Sequence, residues 1–140
     1  MLTRIRKELQ IILNETNHYD STIIAVYIFG SSVTGKRGSN SDLDLAFLLN
    51  DAAYKKDSLA AMVPSYMAAT RLALKFGVET DVTILNAASL EIAYEVVTSG
   101  LCLFETDPGK RLEYEVALRG MYFDFKPFLD DLRSSSISHL

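Results

Sequence analysis

The chain has 140 residues, 49% of them hydrophobic and 23% charged, a composition that describes one globular domain with a real core and excludes a disordered segment. Its formal net charge of -4 excludes a non-specific grip on a nucleic-acid backbone, which needs clustered Lys and Arg. The opening "MLTRIRKELQIIL" is too polar for a signal peptide and no segment could span a membrane. The single Cys102 cannot form an internal disulfide, so a cytoplasmic protein is expected.

Leu2, Ile5, Leu9, Ile12 and Leu13 recur at helical spacing, which predicts an amphipathic helix from about Thr3 to Thr16. "TIIAVYIF" (22–29) is β-branched and apolar on both faces and reads as a central strand. Gly30, Gly35, Gly38 and Asn40 mark a loop, after which "SDLDLAFLL" (41–49) is a second strand. Lys55-Lys56 reads as a solvated turn. A helix follows from about Asp57 to Phe76, with Pro64 expected to kink or divide it and Gly77 to stop it.

"VETDVTIL" (78–85) is the third strand, Ser89 to Ser99 a helix ended by Gly100, and "LCLF" (101–104) a short strand holding Cys102. Asp107 and Pro108 have the character of an N-cap and a first helical residue. The last helix is expected over about 108–133, weakened near Gly120 and Pro127, with a frayed tail at 134–140. Its stripe of Tyr114, Leu118, Tyr122, Phe125 and Phe128, beside Met121 and Leu129, reads as closing the domain's own core, with an interface for a partner as the alternative for part of it. The whole is one domain, 1–140, of α+β class: a small mixed β-sheet covered by helices.

Asp42 and Asp44 stand at the start of an otherwise apolar strand. Residues two apart on a strand share a face and lie about 6.6 Å from each other. The two carboxylates therefore face the same way as Ala46 and Leu48, with Leu43, Leu45 and Phe47 on the opposite side. Like charges held together and partly dehydrated need compensation, and oxygen donors suit Mg²⁺ or Mn²⁺. In the third strand Glu79 and Asp81 share a face, and Asp81, set within the strand, is the better candidate for a third acid. Three such carboxylates can hold two metal ions for in-line phosphoryl or nucleotidyl transfer.

The preceding loop fits that chemistry. Gly30 allows close backbone approach to a ligand, Ser31 offers a hydroxyl and an N–H, and Lys36 and Arg37 add positive charge near a triphosphate. The loop is not a Walker A motif, because Gly35-Lys36 is followed by Arg37. Ser31, Ser39 and Ser41 have no His in the loop to activate them as nucleophiles. His18 and His139 have no neighbours at metal-ligand spacing and read as surface residues.

Gly30-Ser31, then the ten residues Ser32 to Ser41, then Asp42-Leu43-Asp44 reproduce the GS-x10-D-x-D signature, and over about Ile23 to Phe104 the chain resembles the DNA polymerase β-like nucleotidyltransferases, in particular the minimal nucleotidyltransferase (MNT) proteins. The resemblance implies a polymerase β-like core in which Gly30 and Ser31, with Ser41, Lys36 and Arg37 nearby, hold ATP. It implies that Asp42, Asp44 and Asp81 bind two Mg²⁺ ions (or Mn²⁺) and that Asp81 helps deprotonate the acceptor. It further implies the antitoxin role of HEPN/MNT toxin–antitoxin pairs, in which AMP passes from ATP to a tyrosine of a HEPN ribonuclease toxin. Two other readings stand beside it: an antitoxin that neutralises its toxin by binding alone, and transfer to a small hydroxylated molecule such as an aminoglycoside.

Overall fold

The computed structural model describes residues 1–16, 22–30 and 42–138, the side chains of 135–138 excepted. In these, α1 (Leu2–Thr16) and β1 (Ile23–Phe29) precede β2 (Leu43–Leu49), α2 (Asp51–Lys56) and α3 (Ser58–Phe76). Then come β3 (Thr80–Ile84), α4 (Leu90–Ser99), β4 (Leu101–Glu105) and α5 (Pro108–Ser138). The strands form one sheet in the order β3-β2-β1-β4. β1 runs antiparallel to both β2 and β4, while β2 and β3 are parallel, so the sheet is mixed and the fold α+β as expected.

Alternation along the central strands builds a core on each face. Ile23, Val26 and Ile28 of β1 join Leu43, Leu45, Phe47 and Leu49 of β2 under Ile5, Leu9, Ile12 and Leu13 of α1 and Ala61, Ala68, Ala69 and Leu72 of α3. On the other face Ala25 and Tyr27 meet Ala46 and Leu48 beneath Ala93, Val96 and Val97 of α4 and Leu118 of α5. A strand apolar on both sides is the sequence signature of such double coverage.

Caps set several boundaries. The Asp57 side chain accepts from Ala60 N at 3.1 Å, Ser89 from Ile92 N at 3.3 Å and Asp107 from Lys110 N at 3.1 Å. Gly77 ends α3 in the left-handed conformation, φ 62° and ψ 38°. Three expectations are corrected. Lys55-Lys56 is not a turn but the last turn of α2, which Asn50 caps through Ala53 N at 3.1 Å and the Lys55–Asp51 pair supports at 2.9 Å. Pro64 does not divide α3, whose break from α2 falls at Asp57, and α5 runs unbroken through Gly120 and Pro127 to Ser138.

The aromatic stripe of α5 is core only in part. Leu118 is buried and Tyr114 packs on the second core, but Phe125 is 52% and Phe128 61% exposed because the helix runs on past the sheet that its first half covers. No helix among the described residues is long and apolar enough to cross a membrane.

Candidate active site

β2 delivers Asp42 and Asp44 to the face shared with Ala46, at the end of the sheet where β1 finishes. The β2–β3 register sets Asp44 opposite Asp81 and Leu43 opposite Thr80, anchored by Leu43 N donating to Glu79 O at 2.8 Å. Adjacent strands stand about 4.8 Å apart, so the Asp44 and Asp81 side chains rise from neighbouring backbone positions on one surface. Of the two acids proposed for β3, Asp81 is the one brought against Asp42 and Asp44. The Asp81 residue is exposed, Asp42 and Asp44 half-buried.

The crowding is visible in proton affinity. Burial, and then the charges of Asp81 and Asp42, raise the Asp44 carboxyl above its ordinary value. Asp81 is raised as well, first by its hydrogen bond with Asp42 and then by the Asp42 charge. Three carboxylates brought this close together make a donor set suited to a hard divalent cation. Among the described residues, no three His, Cys, Asp or Glu side chains already converge as a finished metal cage. Asp81 lies within hydrogen-bonding reach of both Asp42 and Asp44.

Gly30 closes the site from the β1 side. Phe29 pairs with Asp44, and Gly30 turns away at φ 70°. A Cβ at position 30 would sit 2.5 Å from Asp44 Oδ2, so the glycine is required both by conformation and by the carboxylate beside it. Ser31, Lys36, Arg37 and Ser41 lie outside the described residues, as do His18 and His139.

One buried network escaped the sequence reading. Tyr27 donates to Glu115 Oε1 at 2.6 Å, and Arg111 Nε donates to that same oxygen and to Tyr27 Oη at 3.1 Å each. Arg111 Nη1 reaches Glu105 Oε2 at 2.9 Å. These contacts pin α5 to β1 and β4 on the same face of the sheet as the aspartates, and burial with the Glu115 hydrogen bond raises the Tyr27 phenol. The helical spacing of Arg111 and Glu115 was legible, but not that a strand tyrosine stands between them. A cavity of about 710 Å³ also opens on this face, lined by Leu48, Leu85, Leu118 and Met121 among others, at the far end of β2 from the aspartates.

An acidic pair at the start of one strand, a third acid on its parallel neighbour and a glycine turn against them form a group that could hold a divalent cation. The family model for polymerase beta nucleotidyltransferases matches residues 8–109, and the chain belongs to that family. Solved structures share the fold. A chain of a toxin–antitoxin crystal structure with AMP-PNP is 24% identical with a TM-score of 0.63, covering 91% of this chain and 98% of its own. A chain from the Shewanella oneidensis complex of a tri-AMPylated HEPN toxin with an MNT antitoxin is 21% identical, TM-score 0.59, covering 95% and 99%. A chain of the MntA–HepT toxin–antitoxin crystal structure is 22% identical, TM-score 0.58, covering 94% and 98%. No curated protein matches the sequence.

Proposed function

We propose that this chain is an MNT antitoxin that transfers AMP from ATP to a tyrosine hydroxyl of a HEPN ribonuclease toxin and thereby silences it. The observation that carries this is the Asp44–Asp81 register with Asp42 and Gly30 beside it. The toxin–antitoxin pairs with AMP-PNP and with an AMPylated toxin that share the fold support the choice of nucleotide and acceptor.

Asp42, Asp44 and Asp81 would hold Mg²⁺, which when bound neutralises charge on the phosphate oxygens. Ser31 and Ser41, with Lys36 and Arg37, are assigned to the triphosphate, which the turn at Gly30 leaves room to approach. The acceptor oxygen attacks the α-phosphorus, the bond to the β-phosphate breaks, and pyrophosphate leaves with that electron pair. Asp81, exposed beside the acidic pair, takes the hydroxyl proton. Its exposure leaves room for an acceptor carried on another protein.

The test is intact-mass spectrometry of the partner toxin after incubation with this protein, ATP and Mg²⁺. AMP-sized gains that vanish with Asp42→Asn/Asp44→Asn are expected. An unmodified toxin in a stable complex would instead favour neutralisation by binding alone.

A further inference from the structure

In α5, Tyr114, Leu118, Met121, Phe125, Phe128 and Leu132 follow one another at alternating spacings of four and three, the a/d repeat of a helix that packs along its length on another helix. The first two are used by the protein itself, Leu118 buried at 2% exposure and Tyr114 packed against the second core. From Met121 onward the same seam continues uncovered, with Met121, Phe125, Phe128 and Leu132 all exposed. Met121 belongs both to the seam and to the lining of the 710 Å³ cavity, as do Leu118 and Tyr114, so the apolar path runs from the cavity out along the helix.

The two flanks of this seam differ in charge. On the side toward α4, Tyr122 stacks on Tyr94 with ring centroids 3.6 Å apart, and Arg133 pairs with Glu91. The other cations of that flank are engaged as well, Arg119 with Glu115 at 3.6 Å and Lys126 with Asp130 at 3.1 Å. By the 100° step of the helix, Glu113, Asp124 and Asp131 line the opposite flank, and Glu113 also lines the cavity. Among the described residues none of these three has an ion-pair partner. An antiparallel second copy of the chain would bring acid against acid along this edge, which disfavours self-pairing in that arrangement.

We propose that the seam Met121–Phe125–Phe128–Leu132, with the adjoining cavity, docks an amphipathic helix of the partner protein whose apolar face is flanked by Lys or Arg. This rests on the proposed function for the identity of the partner, the toxin, and adds the surface that receives it. The seam lies on the helix, away from the carboxylates at the start of β2, so docking and transfer are separable by mutation.

The probes are two synthetic helical peptides of about three heptads with Leu at the a and d positions, one flanked by Lys and one by Glu, titrated by fluorescence anisotropy at low salt. The Lys peptide is expected to bind at least about tenfold more tightly than the Glu peptide, with Phe125→Asp/Phe128→Asp abolishing binding and Asp124→Lys/Asp131→Lys reversing the preference. Equal binding of both peptides, binding of neither, or light scattering showing that the wild type self-associates through Phe128 would overturn the proposal. The double Phe variant is also mixed with the toxin, ATP and Mg²⁺. Toxin capture and modification at wild-type level would overturn the docking surface and leave the transfer reading intact. Seam-dependent capture with no AMP added would do the reverse.

Discussion

An alanine at position 30 would hold φ near 70° and place its Cβ 2.5 Å from Asp44 Oδ2. The left-handed conformation alone costs about 1–2 kcal/mol, and the contact displaces the carboxylate the site depends on. Gly30→Ala is therefore expected to lower the melting temperature moderately and to remove nearly all transfer activity, whereas unchanged kcat would show that Asp44 need not stay where it is. Asp44→Asn should act in the opposite sense on stability. Because the Asp44 proton affinity is raised in the folded chain, its contribution is complete below its ordinary value of 3.8 and is lost as pH rises through the raised value. At neutral pH the metal-free variant should thus melt above the wild type, with the gain shrinking on acidification toward about pH 4. A variant that melts lower at neutral pH would contradict this. The acidic pair was legible because period-two alternation assigns Asp42 and Asp44 one face. The contact of Tyr27 with Glu115 was not, since the two are 88 residues apart and meet only once α5 crosses the sheet.

Elements built from alternation or helical stripes were readable, and those set by a single cap were not. The helix α2 has no fully buried residue and packs only Tyr54 on the core, so no apolar periodicity announced it; Asn50 and Asp57, capping two successive helices, were the available signal. Pro64 looked like a kink or break, but a helix held by packing, here through Ala61, Ser65 and Ala68, tolerates the loss of one hydrogen bond that would matter in an isolated peptide. At the junction of α4 and β4, Gly100 has an ordinary backbone but no room. A Cβ there would lie 2.4 Å from Val96 O and 2.9 Å from Ile28 O, both main-chain atoms. Gly100→Ala should destabilise by about 2 kcal/mol or more, in the range of overpacked cores. A chemical-denaturation midpoint equal to the wild type would show that the junction gives way easily. The exposed half of α5 was misjudged because a stripe's spacing shows that something covers it, not whether the covering element is its own.

Across the whole molecule, the two-sided core holds β1 and β2 rigidly while both working regions lie at its margins. The carboxylates stand at one end of the sheet, where β1 ends and β2 begins, and the apolar seam runs along the helix that packs on one face. Both regions are acidic, which accords with the net charge of -4. The central claim is that Asp42, Asp44 and Asp81 bind nucleotide through a divalent cation. Calorimetric titration with a non-hydrolysable ATP analogue, with and without Mg²⁺, tests it most directly. Wild-type binding that requires Mg²⁺ and weakens at least about tenfold in Asp44→Asn is expected, since losing a ligand or its supporting contacts typically costs that much in metal affinity. Equal binding by both proteins, or binding indifferent to Mg²⁺, would contradict it.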